Sequence, residues 1–114
     1  MPPPAGPPVA PAATSPKGRL RPLSELPQQR LASLLGLLTD IDDTLTREGS
    51  IEPEALAALH ALRAAGLVVI AITGRPTQWS EPFVHAWPVA AIVAENGGVM
   101  LRLAHGRLRL DYTT

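Results

Sequence analysis

Residues 34–44 read LLGLLTDIDDT, a short apolar run that ends abruptly in three acidic side chains. The length and the uniform apolarity of residues 34–39 are typical of a central strand in a parallel sheet, buried on both faces. The acids Asp40, Asp42 and Asp43 follow at the point where this strand ends. The stretch therefore predicts an α/β fold with charged groups at the carboxyl end of its first strand.

The rest of the chain alternates helical and strand patterns. A helix is predicted from Pro53 to Ala65, because its leucines recur at helical spacing and Gly66 suits a left-handed cap. The same criteria predict a short helix at 27–34, a loop at 42–52, strands at 67–72 and 89–94, a helix at 77–87, and a hairpin of 99–103 with 107–112. This order predicts a Rossmann-like parallel sheet with flanking helices, ending in a β-hairpin.

The N-terminal stretch has a different composition. Nine of the 13 prolines lie in residues 1–27, among small residues and few large apolar ones. Such a segment cannot bury enough surface to offset its chain entropy. We therefore expect a disordered, proline-rich tail over residues 1–26 and one domain over residues 27–114.

Composition argues against several functional classes. The net charge is zero, which gives no indication of the basic face that nucleic-acid binding requires. The chain has no cysteine, so disulfides and thiol catalysis are excluded. No apolar run approaches the ~18 residues that span a bilayer, and the opening Met1-Pro2-Pro3-Pro4 does not suit a signal peptide. A cytoplasmic protein without membrane contact is expected.

Polar residues follow each of the three predicted parallel strands. They are residues 40–44 after the first strand, residues 73–75 after the second and residues 95–97 after the third. Right-handed crossovers bring these strand ends to one edge, where ligands of such sheets bind. Adjacent carboxylates repel unless a cation intervenes, and a hard ion such as Mg²⁺ prefers oxygen ligands. The edge is therefore a candidate site for Mg²⁺ and a phosphate group.

These residues resemble the motifs of a known family. DIDDTLT at residues 40–46 is similar to the first motif, DxDx[TV], of the haloacid dehalogenase-like (HAD) hydrolases. TGR at residues 73–75 resembles the second motif, and ENG at residues 95–97 resembles a signature of the HAD-IIB branch of Cof-like and sucrose-phosphatase-like enzymes. The resemblance covers roughly residues 35–112 and implies a Mg²⁺-dependent phosphatase acting on a small phosphorylated metabolite, such as a sugar phosphate.

The resemblance also implies roles for the acidic residues. Asp40 would attack phosphorus and form an aspartyl-phosphate, while Asp42 would act as the general acid and then the general base. The Asp40 side chain and the Asp42 backbone carbonyl would bind Mg²⁺. The phosphoryl oxygens would be held by a larger group, comprising Thr73, Gly74, Asp43, Thr44, Arg75 and Asn96.

Three parts of the family pattern are missing. No lysine follows Lys17, no GDxxND-type acidic motif is present, and the cap domain is absent or only begun. The resemblance therefore implies an N-terminal fragment with little or no activity by itself. It also implies that the first strand, central in the family, has a bare and apolar edge in this chain, which favours aggregation.

Other interpretations of the same residues remain open. A phosphomutase uses the same aspartyl-phosphate, and a receiver-like domain uses an acidic Mg²⁺ pocket without turnover. A catalytically inactive fragment would have only a binding role. Arg75 is as well explained by a structural ion pair as by phosphate binding, and Asn96 by a turn. The aromatic stripe of Trp79, Phe83 and Trp87 is better explained by core packing than by substrate contact.

Overall fold

The structure is a computed structural model and describes residues 19–113 of the 114-residue chain. Most of the predicted proline-rich tail, residues 1–18, lies outside the described residues. The described residues divide into two compact units, residues 19–33 and residues 34–113. In the described part of the first unit, a 3₁₀ turn spans Leu23–Glu25 and a short helix, α1, spans Gln28–Ala32. The helix predicted at residues 27–34 is therefore present as a single short segment.

The second unit contains the predicted alternation of strands and helices. Its elements are β1 (Gly36–Asp40), β2 (Thr46–Arg47), β3 (Ser50–Ile51), α2 (Pro53–Ala64), β4 (Val68–Ile72), α3 (Thr77–Ala86), β5 (Ala91–Ala94), a 3₁₀ turn (Glu95–Gly97), β6 (Val99–Ala104) and β7 (Arg107–Tyr112). The main sheet has the order β1-β4-β5-β6-β7. The first three strands are parallel, whereas β6 and β7 form the antiparallel hairpin. The predicted α/β fold class is thereby confirmed.

One small element was not predicted. The stretch assigned to a loop, residues 42–52, contains the two-stranded ladder of β2 and β3. Its tight turn uses Glu48 and Gly49, which both have positive φ, 52° and 85°. Two-residue hairpin turns favour positive φ because their twist matches that of the strands they join. The strands are too short for an alternating pattern to reveal them.

Both long helices lie on one face of the sheet. The chain moves in one direction from β1 to β4 to β5, and successive right-handed crossovers in one direction place their helices on the same side. The covered face is well buried, since its residues Val69, Ala71, Ile92, Ala94 and Leu101 are at most 2% exposed. The alternate residues of β4 point to the other face, and Val68 and Ile72 remain 50% and 39% exposed. The core is therefore one-sided.

The prediction of a central, doubly buried first strand is wrong for this chain, because β1 forms the edge of the sheet. No strand within residues 19–113 pairs with its outer side. Leu37 and Leu38 are consequently 40% and 67% exposed. On its inner side β1 lies very close to β4. A Cβ atom added at Gly36 would lie only 2.5 Å from the carbonyl oxygen of Val68. The bare apolar edge that the resemblance implied is present.

This edge predicts concentration-dependent self-association of the chain. Unpaired N–H and C=O groups beside exposed leucines provide a template for another strand. We expect Leu38→Lys to lower the apparent mass in light scattering at a given concentration, because a charge on an edge strand opposes pairing. Leu23→Lys, which changes a leucine that is 79% exposed outside the sheet, is the control. A monodisperse monomer for the unmodified chain would contradict the expectation.

Candidate active site

The register of the parallel strands brings the predicted site residues to one edge. Asp40 lies opposite Ile72 across β1 and β4, and Ile72 lies opposite Val93 across β4 and β5. The residues leaving these strands are thus level with one another. The amide N–H of Thr73 donates to the carbonyl oxygen of Val93 at 2.8 Å, which fixes the start of the second loop. The acids and Thr73 lie on the same rim of the sheet, as predicted.

The loop after β1 winds around one buried carbonyl group. The Ile41 oxygen accepts from the amides of Thr44 at 3.1 Å, Leu45 at 2.9 Å and Thr46 at 3.2 Å. The Thr46 hydroxyl donates to the same oxygen at 3.2 Å. The Ile41 side chain is fully buried and anchors the loop in the core. Apolar Ile41 therefore separates Asp40 from Asp42 and leaves the acidic side chains on the accessible side of the loop.

Asp42 is linked to the second loop by an ion pair. The Arg75 guanidinium donates from Nε to Asp42 Oδ2 at 3.3 Å and from Nη2 to Oδ1 at 3.3 Å. The side chains are 51% and 39% exposed, so solvent screens their attraction. Asp40 is held differently, since its Oδ2 accepts from the Thr44 hydroxyl at 3.3 Å. Each of the two acids thus has its own partner.

Thr73 is the most deeply placed of the predicted site residues. It is 4% exposed, and its hydroxyl oxygen accepts from the Arg75 amide at 3.1 Å. A threonine hydroxyl also carries one hydrogen to donate, so this group can bind an anionic oxygen at the rim. Gly74 lies so close to Asn96 that a Cβ there would be 2.7 Å from the Asn96 Oδ1. A side chain at position 74 would therefore have to displace the Asn96 amide.

The turn after β5 holds the second loop in place. Glu95 and Asn96 both adopt left-handed backbone conformations, with φ of 53° and 56°. The Glu95 amide donates to the Arg75 oxygen at 2.9 Å. The Glu95 Oε2 accepts from the Thr77 hydroxyl at 2.5 Å and from the Thr77 amide at 2.9 Å. Glu95 therefore caps α3 from the turn after β5, because Pro76 at the cap position has no side-chain acceptor of its own.

These two hydrogen bonds hold the pKa of Glu95 below its ordinary value of 4.5, the hydroxyl having the larger effect. A lowered pKa in the folded state means that the carboxylate stabilises the fold above pH 4.5, and that this contribution is lost as the pH falls through the folded pKa. We expect Glu95→Gln to lower the unfolding temperature by a few degrees near neutral pH and much less in acid. Glu81→Gln, which changes an exposed glutamate within α3, is the control. A difference between Glu95→Gln and the unmodified chain that persists in acid would contradict a stabilising role for the ionised carboxylate.

The remaining predicted phosphate-binding groups are engaged in contacts within their own loop or with the neighbouring one. The Asp43 amide donates to the Thr46 hydroxyl at 3.3 Å, while the Thr44 amide binds Ile41. Asp43 has a positive φ of 61°, which closes the turn. Asn96 packs against Gly74 and braces the second loop. Among the acids at the rim, Asp40 and Asp43 are exposed and Asp42 is half-buried, whereas Thr73 is buried.

The acidic residues provide an incomplete metal site. Within residues 19–113 there is no group of three or more acidic or histidine side chains close enough to hold an ion. The Asp40 carboxylate and the Asp42 backbone carbonyl are hard oxygen donors, which suit Mg²⁺ chemically. They fit such an ion as a partial ligand set, to which water or a further acid would have to be added.

No helix in this part of the chain is long and apolar enough to cross a bilayer.

Comparison with known families identifies the fold. A family model described as haloacid dehalogenase-like hydrolase matches residues 37–112, about two thirds of the chain. The chain belongs to the haloacid dehalogenase-like hydrolases. The matched range contains all the predicted site residues, from Asp40 to Asn96. No curated protein matches the sequence significantly.

Solved structures with the HAD fold superpose on the chain. The phosphatase BT1666 from Bacteroides thetaiotaomicron is 23% identical, with a TM-score of 0.56 over 69% of this chain and 30% of its own. The HAD subclass IIB sugar phosphatase BT4131 is 26% identical, with a TM-score of 0.50 over 60% of this chain and 28% of its own. A third structure, from a crystallographic study of a trigonal-bipyramidal intermediate in a phosphoryl-transfer superfamily, is 24% identical. Its TM-score is 0.55 over 71% of this chain and 31% of its own. The chain thus spans roughly 30% of the length of each of these HAD structures.

Proposed function

We propose that the chain carries the nucleophile-bearing part of a HAD phosphatase that hydrolyses a small phosphorylated metabolite through an aspartyl-phosphate. One observation carries the proposal: Asp40 and the buried Thr73 leave adjacent parallel strands, with Asp42 two residues further on. A nucleophile, an acid–base residue and an anion-binding hydroxyl are thereby assembled at one rim. Membership in the HAD family supports this assignment.

In this proposal each group takes the role that the resemblance to the HAD motifs implies, and its place at the rim supports that role. An Asp40 carboxylate oxygen attacks phosphorus, the ester P–O bond breaks, and the leaving oxygen takes a proton from Asp42. Asp42 then removes a proton from a water molecule, whose oxygen attacks phosphorus and releases Asp40 and inorganic phosphate. The Thr73 hydroxyl donates to a phosphoryl oxygen in both steps. Two displacements at one carboxylate thus complete the hydrolysis.

A divalent ion belongs to this proposal. The Asp40 carboxylate and the Asp42 carbonyl would hold Mg²⁺, which supplies neutralisation of the phosphoryl charge when bound. The two oxygens come from one loop that is fixed around the Ile41 carbonyl. The protein's contribution is therefore two hard oxygen ligands, one of them on the nucleophile itself, and a complete site requires further donors.

The substrate class is supported by the likeness to a subclass IIB sugar phosphatase. Beside the first loop lies an open depression of about 410 Å³, lined by Thr44, Arg47, Glu52, Glu54 and Ala55. Its volume lies within the range that small ligands occupy. Its charged and hydroxyl groups suit the polar leaving group of a sugar phosphate better than an apolar one. We propose this depression as the place where the leaving group enters.

Turnover of p-nitrophenyl phosphate by the complete gene product, with Mg²⁺ and after chelation by EDTA, tests the proposal. We expect release of inorganic phosphate that is lost in EDTA and restored by added Mg²⁺. Stable phosphorylation without turnover would indicate a phosphoacceptor domain instead. Phosphoryl transfer to a second hydroxyl without phosphate release would indicate a mutase. Equal turnover with and without the metal would contradict the proposal.

A further inference from the structure

The Arg75 side chain lies between the candidate acid–base residue and an aromatic ring. On one side its guanidinium forms the two-pronged contact with Asp42, with both N–O distances at 3.3 Å. On the other side its central carbon lies 4.7 Å from the centre of the Trp79 ring. A cation over a tryptophan face is attracted by the ring quadrupole. The ring therefore favours the Arg75 orientation that reaches Asp42.

The Trp79 ring is itself held from behind. The rings of Trp79 and Phe83, both in α3, meet edge to face at 4.9 Å, and Phe83 stacks at 4.4 Å on Trp87, which directly follows the helix. Trp87 is 7% exposed and belongs to the core. Aromatic residues four apart lie on one helix face. The stripe thus connects the core to Arg75 through a series of ring contacts.

An exposed ion pair alone would not fix Asp42. Solvent screening and the rotamer freedom of a long side chain leave such pairs with little net strength. A planar guanidinium loses less freedom when it is already stacked on a ring, so the stack prepares it for the two-pronged contact. The Glu95 amide adds a bond to the Arg75 backbone oxygen, which fixes the start of this side chain. The guanidinium is therefore constrained at its backbone and at its ring face.

We propose that Trp79 is a positioning residue for Asp42 that acts through Arg75. The inference rests on the proposed function only in taking Asp42 as the acid–base residue; the coupling of the three side chains can be measured without turnover. It extends the role of the aromatic stripe beyond the core packing predicted from sequence. Because Trp79 contacts the Arg75 guanidinium, its effect on Asp42 passes through that group.

The test is the exchange rate of the Arg75 Nε–H with water, measured by NMR on the 114-residue chain labelled with ¹⁵N-arginine. We expect Trp79→Leu to raise this rate about two- to fivefold, the effect of losing an exposed cation–π contact. Trp79→Phe should restore part of the protection. Asp42→Asn should also raise the rate while leaving the ring-current shift of the Arg75 side-chain protons in place.

Trp87→Phe is the matched control, since it alters the other tryptophan of the aromatic stripe, which directly follows α3. We expect it to change the unfolding temperature without changing the Arg75 exchange rate. An unchanged rate in Trp79→Leu, or an equal rise in Trp87→Phe, would overturn the proposal. In the complete gene product, Trp79→Leu should lower kcat more than it raises KM. If the complete gene product has no phosphatase activity but Trp79→Leu still raises the Arg75 exchange rate, the proposed function is refuted. The coupling of Trp79, Arg75 and Asp42 then stands by itself.

Discussion

Replacing Ile92 by alanine is expected to remove a large share of the free energy of unfolding of the chain. Ile92 is fully buried at the middle of β5, between Ala71 of β4 and Leu101 of β6. Removing a buried isoleucine side chain beyond its Cβ costs about 2–5 kcal/mol, since a cavity remains. Small domains have only about 5–15 kcal/mol of stability, and this core is packed on one face of its sheet alone. Urea denaturation followed by circular dichroism measures the loss.

Ile72→Ala is the matched control for this prediction. It removes the same atoms from the neighbouring strand, but Ile72 is 39% exposed and points to the open face. Part of its surface is already in water, and no closed cavity forms when it is shortened. We expect a loss of stability well below half of that for Ile92→Ala. Equal losses would mean that the open face is covered in solution, for example by self-association.

Replacing Asp40 by asparagine is expected to abolish phosphatase turnover in the complete gene product. An amide of the same shape keeps the loop geometry but is not a nucleophile for phosphorus, so no aspartyl-phosphate forms. Loss of a covalent nucleophile lowers kcat by on the order of a thousandfold or more. The p-nitrophenyl phosphate assay with Mg²⁺ measures this directly. The folded structure should persist, since the Asp40 side chain is exposed and accepts one long hydrogen bond.

Asp43→Asn provides the comparison within the same loop. Asp43 is exposed and has a positive φ, a conformation that asparagine also adopts readily. The substitution changes the loop charge by the same amount as Asp40→Asn, but it leaves the nucleophile in place. We expect turnover within a few-fold of the unmodified protein. Similar losses in the two variants would assign the effect to loop charge and not to nucleophilic attack.

The order of strands and helices was predictable because it depends on local patterns. Apolar runs gave β1, β4 and β5, and the right-handed crossover rule then placed Asp40 and Thr73 at one edge. The edge position of β1 could not be predicted from its composition. Uniform apolarity indicates that a strand suits neighbours on both sides, but it does not show whether both neighbours are present. The small β2–β3 ladder was missed because two residues are too few to show a period.

The contacts between loops could not be predicted from the sequence. The ion pair of Arg75 with Asp42 joins residues 33 positions apart and depends on the rotamers of exposed side chains. The cap that Glu95 provides to α3 spans 18 positions and depends on two left-handed residues in succession. One hint was available: Pro76 precedes the helix without offering a side-chain acceptor, so another residue had to provide one.

The strand order of the main sheet has a consequence for biosynthesis. Apart from the short β2–β3 ladder, each strand pairs with the strand made just before it. A nascent chain leaving the ribosome can therefore add each new strand to an existing partner, without waiting for distant sequence. Such stepwise growth keeps loop-closure distances short, and it is expected to complete the nucleophile loop and the TGR loop before the hairpin has been translated.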